Sequence, residues 1–256
     1  MKRYTADFET STWLPDESFV WAWAICEIGN VDNLRIGNSI DSFMSLVEKE
    51  NNPIILFHNL KFDGEFILYW LLKNGFEHVE KKERKDRTFS TLISDMGLFY
   101  EIEVYFEVDK KTHKVTFQDS MKIINQSVDS IAKTFKLPES KLKIDYNLPR
   151  ERGHILTKEE EEYIKHDIII VAKGLEYLYS MGLTRMTAGS NALNEYKEII
   201  TTKQFEKIYH KLSYEADKDI RQSYKGGFTY LNSIYEGVDV GEGEVLDVNS
   251  LYPSVR

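Results

Sequence analysis

Two acidic side chains stand one residue apart near the start of the chain, in the stretch "RYTADFETST". If this segment is a β-strand, its side chains alternate between two faces, so Asp7 and Glu9 point to the same side. Like charges held side by side repel each other unless a cation lies close to both. The spacing therefore predicts a cation-binding face, although such a pair also fits a solvent-exposed strand.

Three further side chains extend this set. Asp63 directly follows "FHNLKF", where a strand gives way to a helix, so it is either a helix N-cap or a metal ligand at the end of a strand. Tyr163 and Asp167 are four residues apart in a strongly helical segment and therefore share one helix face. An acid well inside a helix gains little as a cap, so this pair is either an ordinary surface pair or part of a site.

Taken together, the four carboxylates favour a metal site. Asp7, Glu9, Asp63 and Asp167 would supply the oxygen ligands that Mg²⁺ or Mn²⁺ prefers, and no His/Cys cluster in the sequence suggests zinc. Two such ions about 3.5 to 4 Å apart would hold the attacking and leaving oxygens of a phosphodiester. Tyr163, one turn before Asp167, would orient the attacking water, because a phenol with a pKa near 10 is a poor base at neutral pH.

The elements that would position these residues read as an α/β (mixed α+β) domain with a central sheet flanked by helices. "YTADFET", "FVWAWAICEIG" and "PIILFHN" have strand character, whereas "SIDSFMSLVEKE" and "DGEFILYWLLKNG" have helix character. Residues 99–119 alternate with period two and predict an antiparallel hairpin. The strongest helix follows Thr157, which forms a capping box with Glu160, and its apolar stripe is Ile164, Ile168, Val171, Leu175 and Leu178.

Composition limits the class of protein. With 256 residues, 42% hydrophobic and 29% charged, the chain is globular and long enough for one large domain or two smaller ones. The single Cys26 gives no disulfide framework, and no signal peptide or bilayer-spanning run is evident, which favours a reducing cytoplasm. A net charge of -9 argues against coating nucleic acid by bulk electrostatics. The charge runs "KKERKDR" and "KEEEEY" predict solvated surface.

Several ordered motifs resemble one known family. "DFET", "HNLKFD" and "YIKHD" resemble, in order and spacing, the three exonuclease motifs of the protein-primed family B DNA polymerases of small tailed bacteriophages. "YKGGF" resembles that family's Tyr-x-Gly-Gly motif between the exonuclease and polymerase parts, and "DVNSLYP" resembles polymerase motif A. The resemblance covers essentially the whole chain. It implies a ribonuclease H-like exonuclease domain over residues 1–187 and an incomplete beginning of a polymerase palm over residues 188–256.

The resemblance also implies roles for individual residues of the exonuclease part. Asp7, Glu9, Asp63 and Asp167 match the metal ligands, and Tyr163 matches the residue that orients the water. Lys141 matches a lysine that assists the reaction at the scissile phosphate, with the neighbouring Lys143 as the alternative. The positions that match those holding the frayed primer end are Thr10, His58, Asn59, Phe62, Ser120, Met121 and Tyr146. Phe62 would stack on a base, or else belong to the core, and Met121 stands where the family usually has Leu.

In the polymerase part, the resemblance implies that Asp247 is a metal-binding catalytic aspartate and that Tyr252 packs under the incoming sugar. Tyr224, Gly226 and Gly227 would bind DNA between the two sites. Because a second catalytic aspartate would lie beyond Arg256, the chain is expected to resemble only the N-terminal part of such an enzyme.

The predicted function is a 3′→5′ proofreading exonuclease with two Mg²⁺ or Mn²⁺ ions, acting on single-stranded or mismatched DNA ends during protein-primed viral replication in the host cytoplasm. Its expected partners are DNA, a priming terminal protein and the missing polymerase part as a separate chain, but not a membrane. Two alternatives remain open: an exoribonuclease of similar carboxylate chemistry, and a non-catalytic fragment that binds DNA or the terminal protein.

Overall fold

The structure is a computed structural model that describes residues 2–14, 16–108, 111–223, 232–244 and 246. The chain divides into two compact units, residues 1–201 and 202–256. The predicted functional division at residues 187 and 188 stays a prediction. The helix that follows it, α5 (Ala188–Ile200), is grouped with the first unit. Among the described residues, no helix is both long and apolar enough to cross a lipid bilayer.

The first unit is built on an eight-stranded mixed sheet within the described residues. Its strands are β1 (Arg3–Thr10), β2 (Val20–Glu27), β3 (Asn30–Gly37), β4 (Ile54–Phe57), β5 (Glu77–His78), β6 (Thr88–Ile93), β7 (Phe99–Val108) and β8 (Lys111–Asp119). Their order across the sheet is β3-β2-β1-β4-β8-β7-β6-β5. The three central strands β1, β4 and β8 are parallel, and β7 and β8 form the predicted antiparallel hairpin. Their parallel direction brings the carboxyl ends of three strands to one edge.

Helices cover both faces of this sheet, as predicted. α1 (Ile40–Val47) and α2 (Leu60–Lys73) pack on one face, and α3 (Val128–Thr134) and α4 (Lys158–Ser180) pack on the other. The capping box of α4 is present in full, with Thr157 and Glu160 exchanging hydrogen bonds. The second unit contains α6 (Thr202–Ile208) and α7 (Tyr214–Ser223).

The two layers of core explain why these segments form strands. Alternate residues of β1, including Ala6 and Phe8, pack against α1 and α2, whereas Thr5 on the opposite face donates a hydrogen bond to the Ile168 carbonyl of α4 at 3.3 Å. β2 lies between β1 and β3 and is buried on both faces, which is why "VWAWAIC" reads as a continuous apolar run.

The prediction that both charge runs are solvated surface is wrong at Glu160 of the second run, which is 7% exposed and pairs with Arg150. Lys81 of the first run stays exposed, although its ammonium lies 2.7 Å from the carboxylate of Glu101 and 3.1 Å from that of Glu103. The charged side chain of Glu160 becomes buried because the fold supplies its counter-ion, and a sequence window does not contain that partner.

Candidate carboxylate site

Asp7 and Glu9 lie on the central strand β1, on the face that looks toward α4. The two side chains point the same way, as the alternation predicted, and the strand register shifts just after Glu9, between β1 and β2. Glu9 is buried and Asp7 is half-buried. Two acids are thus held near each other at the carboxyl end of a central strand with little water around them.

Asp63 approaches the same place from the next strand. β4 runs parallel to β1, so the helix that follows β4 begins at the same edge of the sheet where β1 ends. Asp63 lies in the first turn of α2, is 3% exposed, and accepts a hydrogen bond from the Phe8 amide at 3.3 Å. The N-cap is Asn59, in the left-handed region at φ 86°, so the capping alternative for Asp63 is wrong.

α4 contributes Tyr163 and Asp167 from one face, and both are buried. Lys141 Nζ lies 2.9 Å from Asp167 Oδ2. Lys141 lines the pocket into which these carboxylates project, and Lys143 does not. The other oxygen of Asp167, Oδ1, is buried and has no hydrogen-bond partner among the described residues. A buried carboxylate oxygen without a partner is costly, so this atom is suited to a cation.

The raised pKa values of three of the carboxylates also favour a bound cation. Burial and then the nearby Asp167 raise the pKa of Asp7 to about 7. Burial and the neighbouring acids also raise the pKa of Glu9 and of Asp63 well above their usual range. Asp7, Glu9 and Asp63 are destabilised in their charged forms by desolvation and by neighbouring acids, and a bound cation would relieve both effects.

These carboxylates share a pocket without forming a closed ligand cage. Over the described residues, no three His, Cys, Asp or Glu side chains are arranged as ligands of one metal ion. The donor set nevertheless fits a hard divalent cation, because it consists of carboxylate oxygens and includes the unpartnered oxygen of Asp167. The Lys141 ammonium occupies the other oxygen of Asp167.

Two tyrosine hydroxyls meet beside the carboxylates. Tyr163 Oη and Tyr146 Oη are 2.5 Å apart, and their rings meet edge to face. Burial first, and then the negative charge of Glu9, raises the pKa of Tyr163 far above its ordinary value. The Tyr163 hydroxyl therefore keeps its proton at neutral pH and can hold a water molecule but not deprotonate it.

All of these residues line one pocket of about 440 Å³. Five of the residues predicted to hold a primer end also line it, namely Thr10, His58, Asn59, Phe62 and Tyr146. Phe62 is 50% exposed, so the alternative that it belongs to the core is wrong. The pocket therefore combines an acidic floor with an exposed aromatic ring at its wall.

Ser120 and Met121 do not line this pocket. Ser120 is fully buried, and its Oγ lies 2.9 Å from Nδ1 of His58, so its contact with the pocket passes through the histidine. Met121 is half-buried, and its amide donates to Asp119 at 2.9 Å. As ligands of a primer end, both residues remain predictions, and neither is part of the pocket lining in this structure.

Asp119 was missed in the sequence. It ends β8, is 2% exposed, and accepts hydrogen bonds from the amides of Asn59 (3.2 Å) and Met121 (2.9 Å). It thereby supports the left-handed conformation of Asn59, which lines the pocket. Its position at the end of a strand parallel to β4 is the signal that would have found it.

Arg150 was also missed. Its guanidinium is 4% exposed, lies 2.6 Å from Glu160 on α4, and donates to the carbonyls of Asp145 (2.8 Å) and Leu148 (3.2 Å). These contacts fasten the loop that carries Tyr146 to the first turn of α4.

The five residues predicted for the polymerase part, Tyr224, Gly226, Gly227, Asp247 and Tyr252, lie outside the described residues.

Comparison with known proteins gives concordant matches. The family model described as DNA polymerase type B, organellar and viral, matches residues 45–154 and 143–256. The DNA polymerases of Bacillus phage M2 and Bacillus phage phi29 are 49% and 45% identical to this chain over 255 residues. A solved structure of phi29 DNA polymerase, complexed with primer-template DNA and incoming nucleotide substrates, matches with a TM-score of 0.82 at 43% identity. Each of these alignments covers 99% of this chain and 44% of the relative, so the chain spans less than half of their length.

Proposed function

Since this chain belongs to the organellar and viral type B DNA polymerases, we propose that residues 1–187 form a metal-dependent 3′→5′ exonuclease that removes nucleotides from single-stranded or mismatched DNA ends. The observation that carries the proposal is the pocket in which Asp7, Glu9, Asp63 and Asp167 meet Tyr163 and Lys141. In this pocket the fold brings together acidic side chains from distant parts of the sequence. Such an arrangement is destabilising for the free protein and is typical of a site that works with a cation.

Asp7, Glu9, Asp63 and Asp167 would hold Mg²⁺ or Mn²⁺, two ions in the fully loaded site. When bound, such ions stabilise the attacking and leaving oxygens of a phosphodiester during an in-line displacement. The unpartnered Oδ1 of Asp167 and the raised pKa of Asp7 support this assignment.

The tyrosine and the lysine act directly on the reacting groups. Tyr163 keeps its proton, so its hydroxyl would orient a water molecule, with the Tyr146 hydroxyl 2.5 Å away fixing its direction. Burial alone would lower the pKa of Lys141, but the hydrogen bond that Lys141 donates to Asp167 and the negative charge of Asp167 raise it. Lys141 therefore stays charged at neutral pH and would offer a cation to the non-bridging oxygens of the scissile phosphate.

The wall of the pocket would hold the last nucleotides of the strand. Phe62 offers an exposed aromatic face on which an unpaired base can stack whatever its identity. Thr10, Asn59 and Tyr146 offer hydroxyl and amide groups for the sugar and phosphates. Both ring nitrogens of His58 already have partners, Ser120 Oγ at 2.9 Å and the Gln126 carbonyl at 2.7 Å, and burial chiefly lowers its pKa, so it would stabilise the pocket wall as a neutral side chain.

The remaining predictions extend this proposal to the rest of the protein. Residues 188–256 would begin the polymerase domain, with Asp247 binding metal, Tyr252 packing under the incoming sugar, and Tyr224, Gly226 and Gly227 contacting DNA. The relatives are DNA polymerases of bacteriophages, and we propose that the protein acts on DNA in the cytoplasm of a host cell. A priming terminal protein and a separately encoded polymerase part are its proposed protein partners.

The test is to incubate the purified chain with a 5′-labelled DNA primer that ends in a 3′ mismatch, in Mg²⁺ or Mn²⁺. Stepwise shortening from the 3′ end is expected, and EDTA or the double substitution Asp7→Ala/Glu9→Ala should abolish it. Glu151→Ala is the matched control, because Glu151 is an exposed acid that does not line the pocket. Equal shortening by the wild type and by the folded double variant would refute the assignment.

Thermal unfolding gives a second, activity-independent test of the metal assignment. Mn²⁺ should raise the unfolding midpoint of the wild type, because a ligand that binds only the folded state stabilises it. It should not raise the midpoint of Asp7→Ala/Glu9→Ala. Matched RNA primers separate the DNA exonuclease from an exoribonuclease, and binding without shortening would favour the non-catalytic alternative.

A further inference from the structure

A stripe of aromatic side chains runs along α2 away from the carboxylates. Phe62, Phe66, Tyr69 and Lys73 occur at spacings of four, three and four residues, so they lie on one side of the helix. The rings of Phe62 and Phe66 meet edge to face at 5.7 Å, and the Lys73 ammonium is 5.8 Å from the centre of the Tyr69 ring. Tyr69 is 65% exposed, which is unusual for a large aromatic ring with no partner ring of its own among the described residues.

The far end of this stripe borders a second pocket, of about 240 Å³. Phe66, Tyr69 and Lys73 form one wall, and Phe19 and Arg152 contribute to the other. The Arg152 guanidinium lies 4.4 Å from the centre of the Phe19 ring. This pocket therefore pairs aromatic surfaces with two cations, which is the combination that binds bases and phosphates of single strands.

The two nearby carboxylates are already engaged. Glu17 pairs with Arg152 on the surface, where both side chains are more than half exposed. Asp41 accepts a hydrogen bond from the Trp70 indole at 2.7 Å. An ion pair this exposed contributes little, so Arg152 can exchange Glu17 for a phosphate at small cost.

The second pocket lies beside the carboxylate pocket. Thr12 lines the first pocket and Phe19 lines the second, and between them the Ser11 amide donates to the Phe19 carbonyl at 2.9 Å. On the α2 side, the Phe62 ring of the first pocket contacts the Phe66 ring of the second. The walls of the two pockets are therefore continuous at the Phe62 and Phe66 rings, so a strand can pass from the first pocket to the second along α2.

We propose that the DNA strand whose 3′ end occupies the carboxylate pocket continues along α2 and stacks an upstream base on Tyr69 in the second pocket, with its phosphates near Lys73 and Arg152. This inference rests on the proposed exonuclease function and extends it to a second subsite. The occupant is single-stranded, because paired bases in a duplex have no free face to stack.

The geometry sets a length requirement. Phe62 and Tyr69 are seven residues apart, which is about 10 Å along a helix. At the spacing of stacked nucleotides in one strand, about 3.4 Å, this is roughly three base steps. A trinucleotide held by its 3′ end therefore stops short of Tyr69, whereas a dodecanucleotide reaches it.

The test measures equilibrium binding of a fluorescent trinucleotide and a fluorescent dodecanucleotide of deoxythymidine in EDTA, which prevents hydrolysis. Tyr69→Ala should weaken binding of the dodecanucleotide by about five-fold or more and leave that of the trinucleotide unchanged. Tyr69→Phe, which keeps the aromatic face, should restore it. Tyr177→Ala is the matched control, since Tyr177 is 54% exposed on α4 and lines neither pocket.

Unchanged binding of the dodecanucleotide to Tyr69→Ala would overturn the proposal, and so would an equal loss for both lengths, which would assign Tyr69 to the first pocket or to folding. Wild-type protein that binds both lengths equally would also overturn it. Shortening of the trinucleotide in Mn²⁺ reports the carboxylate pocket alone. Failure of the second subsite is thereby distinguished from failure of the exonuclease itself.

Discussion

The buried pair of Arg150 and Glu160 gives the sharpest prediction on stability. The substitution Arg150→Met keeps much of the apolar stem but removes a guanidinium that lies 2.6 Å from Glu160, where both side chains are less than one-tenth exposed. It leaves the carboxylate buried without its main counter-ion. Removing one partner of a buried ion pair is far more destabilising than removing an exposed one.

The magnitude follows from the pKa of Glu160. Burial alone would raise this pKa, but the Thr157 amide, Arg150 and His154 together lower it to about 2 from a usual value of 4.5. That difference corresponds to roughly 3 kcal/mol of stability at neutral pH. Arg150 supplies only part of this shift, because the Thr157 amide and His154 stay beside Glu160 in the variant, so we expect Arg150→Met to lose about 2 kcal/mol of stability.

The lowered pKa of Glu160 also determines how the stability of the fold depends on pH. The pKa of Glu160 is lower in the folded state than in the unfolded state, so its contribution is complete above about pH 4.5 and is lost as the pH falls toward about 2. Arg150→Met should therefore show a shallower loss of stability than the wild type in this acid window.

Urea unfolding followed by tryptophan fluorescence is a suitable assay, because the Arg150 guanidinium lies 4.5 Å from the centre of the Trp21 ring. The control is Arg152→Met, which removes an exposed arginine from the same loop and should change stability by about 0.5 kcal/mol or less. Equal effects of the two substitutions, or an unchanged acid profile in Arg150→Met, would refute the reasoning.

Two matched pairs of substitutions test other parts of the structure. Lys141→Met should slow the proposed exonuclease by about a hundred-fold, because the Lys141 ammonium contacts the carboxylate of Asp167 in the pocket. The control Lys143→Met should have little effect on the rate of primer shortening. Similar rates for the two variants would contradict the assignment of Lys141. Gly174→Ala should destabilise the fold by about 1 kcal/mol, because the new methyl group would lie 2.9 Å from a methyl group of Ile131. In the control Gly189→Ala the new methyl group meets open space, so this variant should stabilise α5 by about 0.5 kcal/mol. Midpoints of urea unfolding that move in the same direction for both glycines would show that crowding between α3 and α4 is not the cause.

Local patterns predicted much of this architecture because they record local physics. The period-two alternation of Asp7 and Glu9 places both on one face whatever surrounds the strand. The capping box at Thr157 satisfies the first amides of α4 from within a few residues. The convergence of Asp63 with Asp7 follows from the parallel pairing of β1 and β4, whereas the order of strand and helix signals predicted only a central sheet flanked by helices.

Features that depend on distant partners were not readable in the same way. Glu160 looks like one of several surface acids until Arg150 is brought beside it, and the two carboxylates that pair with the exposed Lys81 come from the distant strand β7. Phe62 illustrates the reverse case, since an aromatic residue in an apolar helix is expected inside and is instead half exposed at the pocket wall. Hydrophobicity sets an average preference, and the tertiary contacts decide the individual residue.

The parallel arrangement of β1 and β4 also bears on when the carboxylate pocket can form. Asp7 and Asp167 are about 160 positions apart, and they share the pocket only when β1, β4 and α4 are packed together. Bringing such distant segments together carries a loop-closure cost, and the repulsion between the acids adds to it. The apolar layers on both faces of the sheet must offset both costs, so the negative charge of the pocket exists as a cluster only in the packed domain.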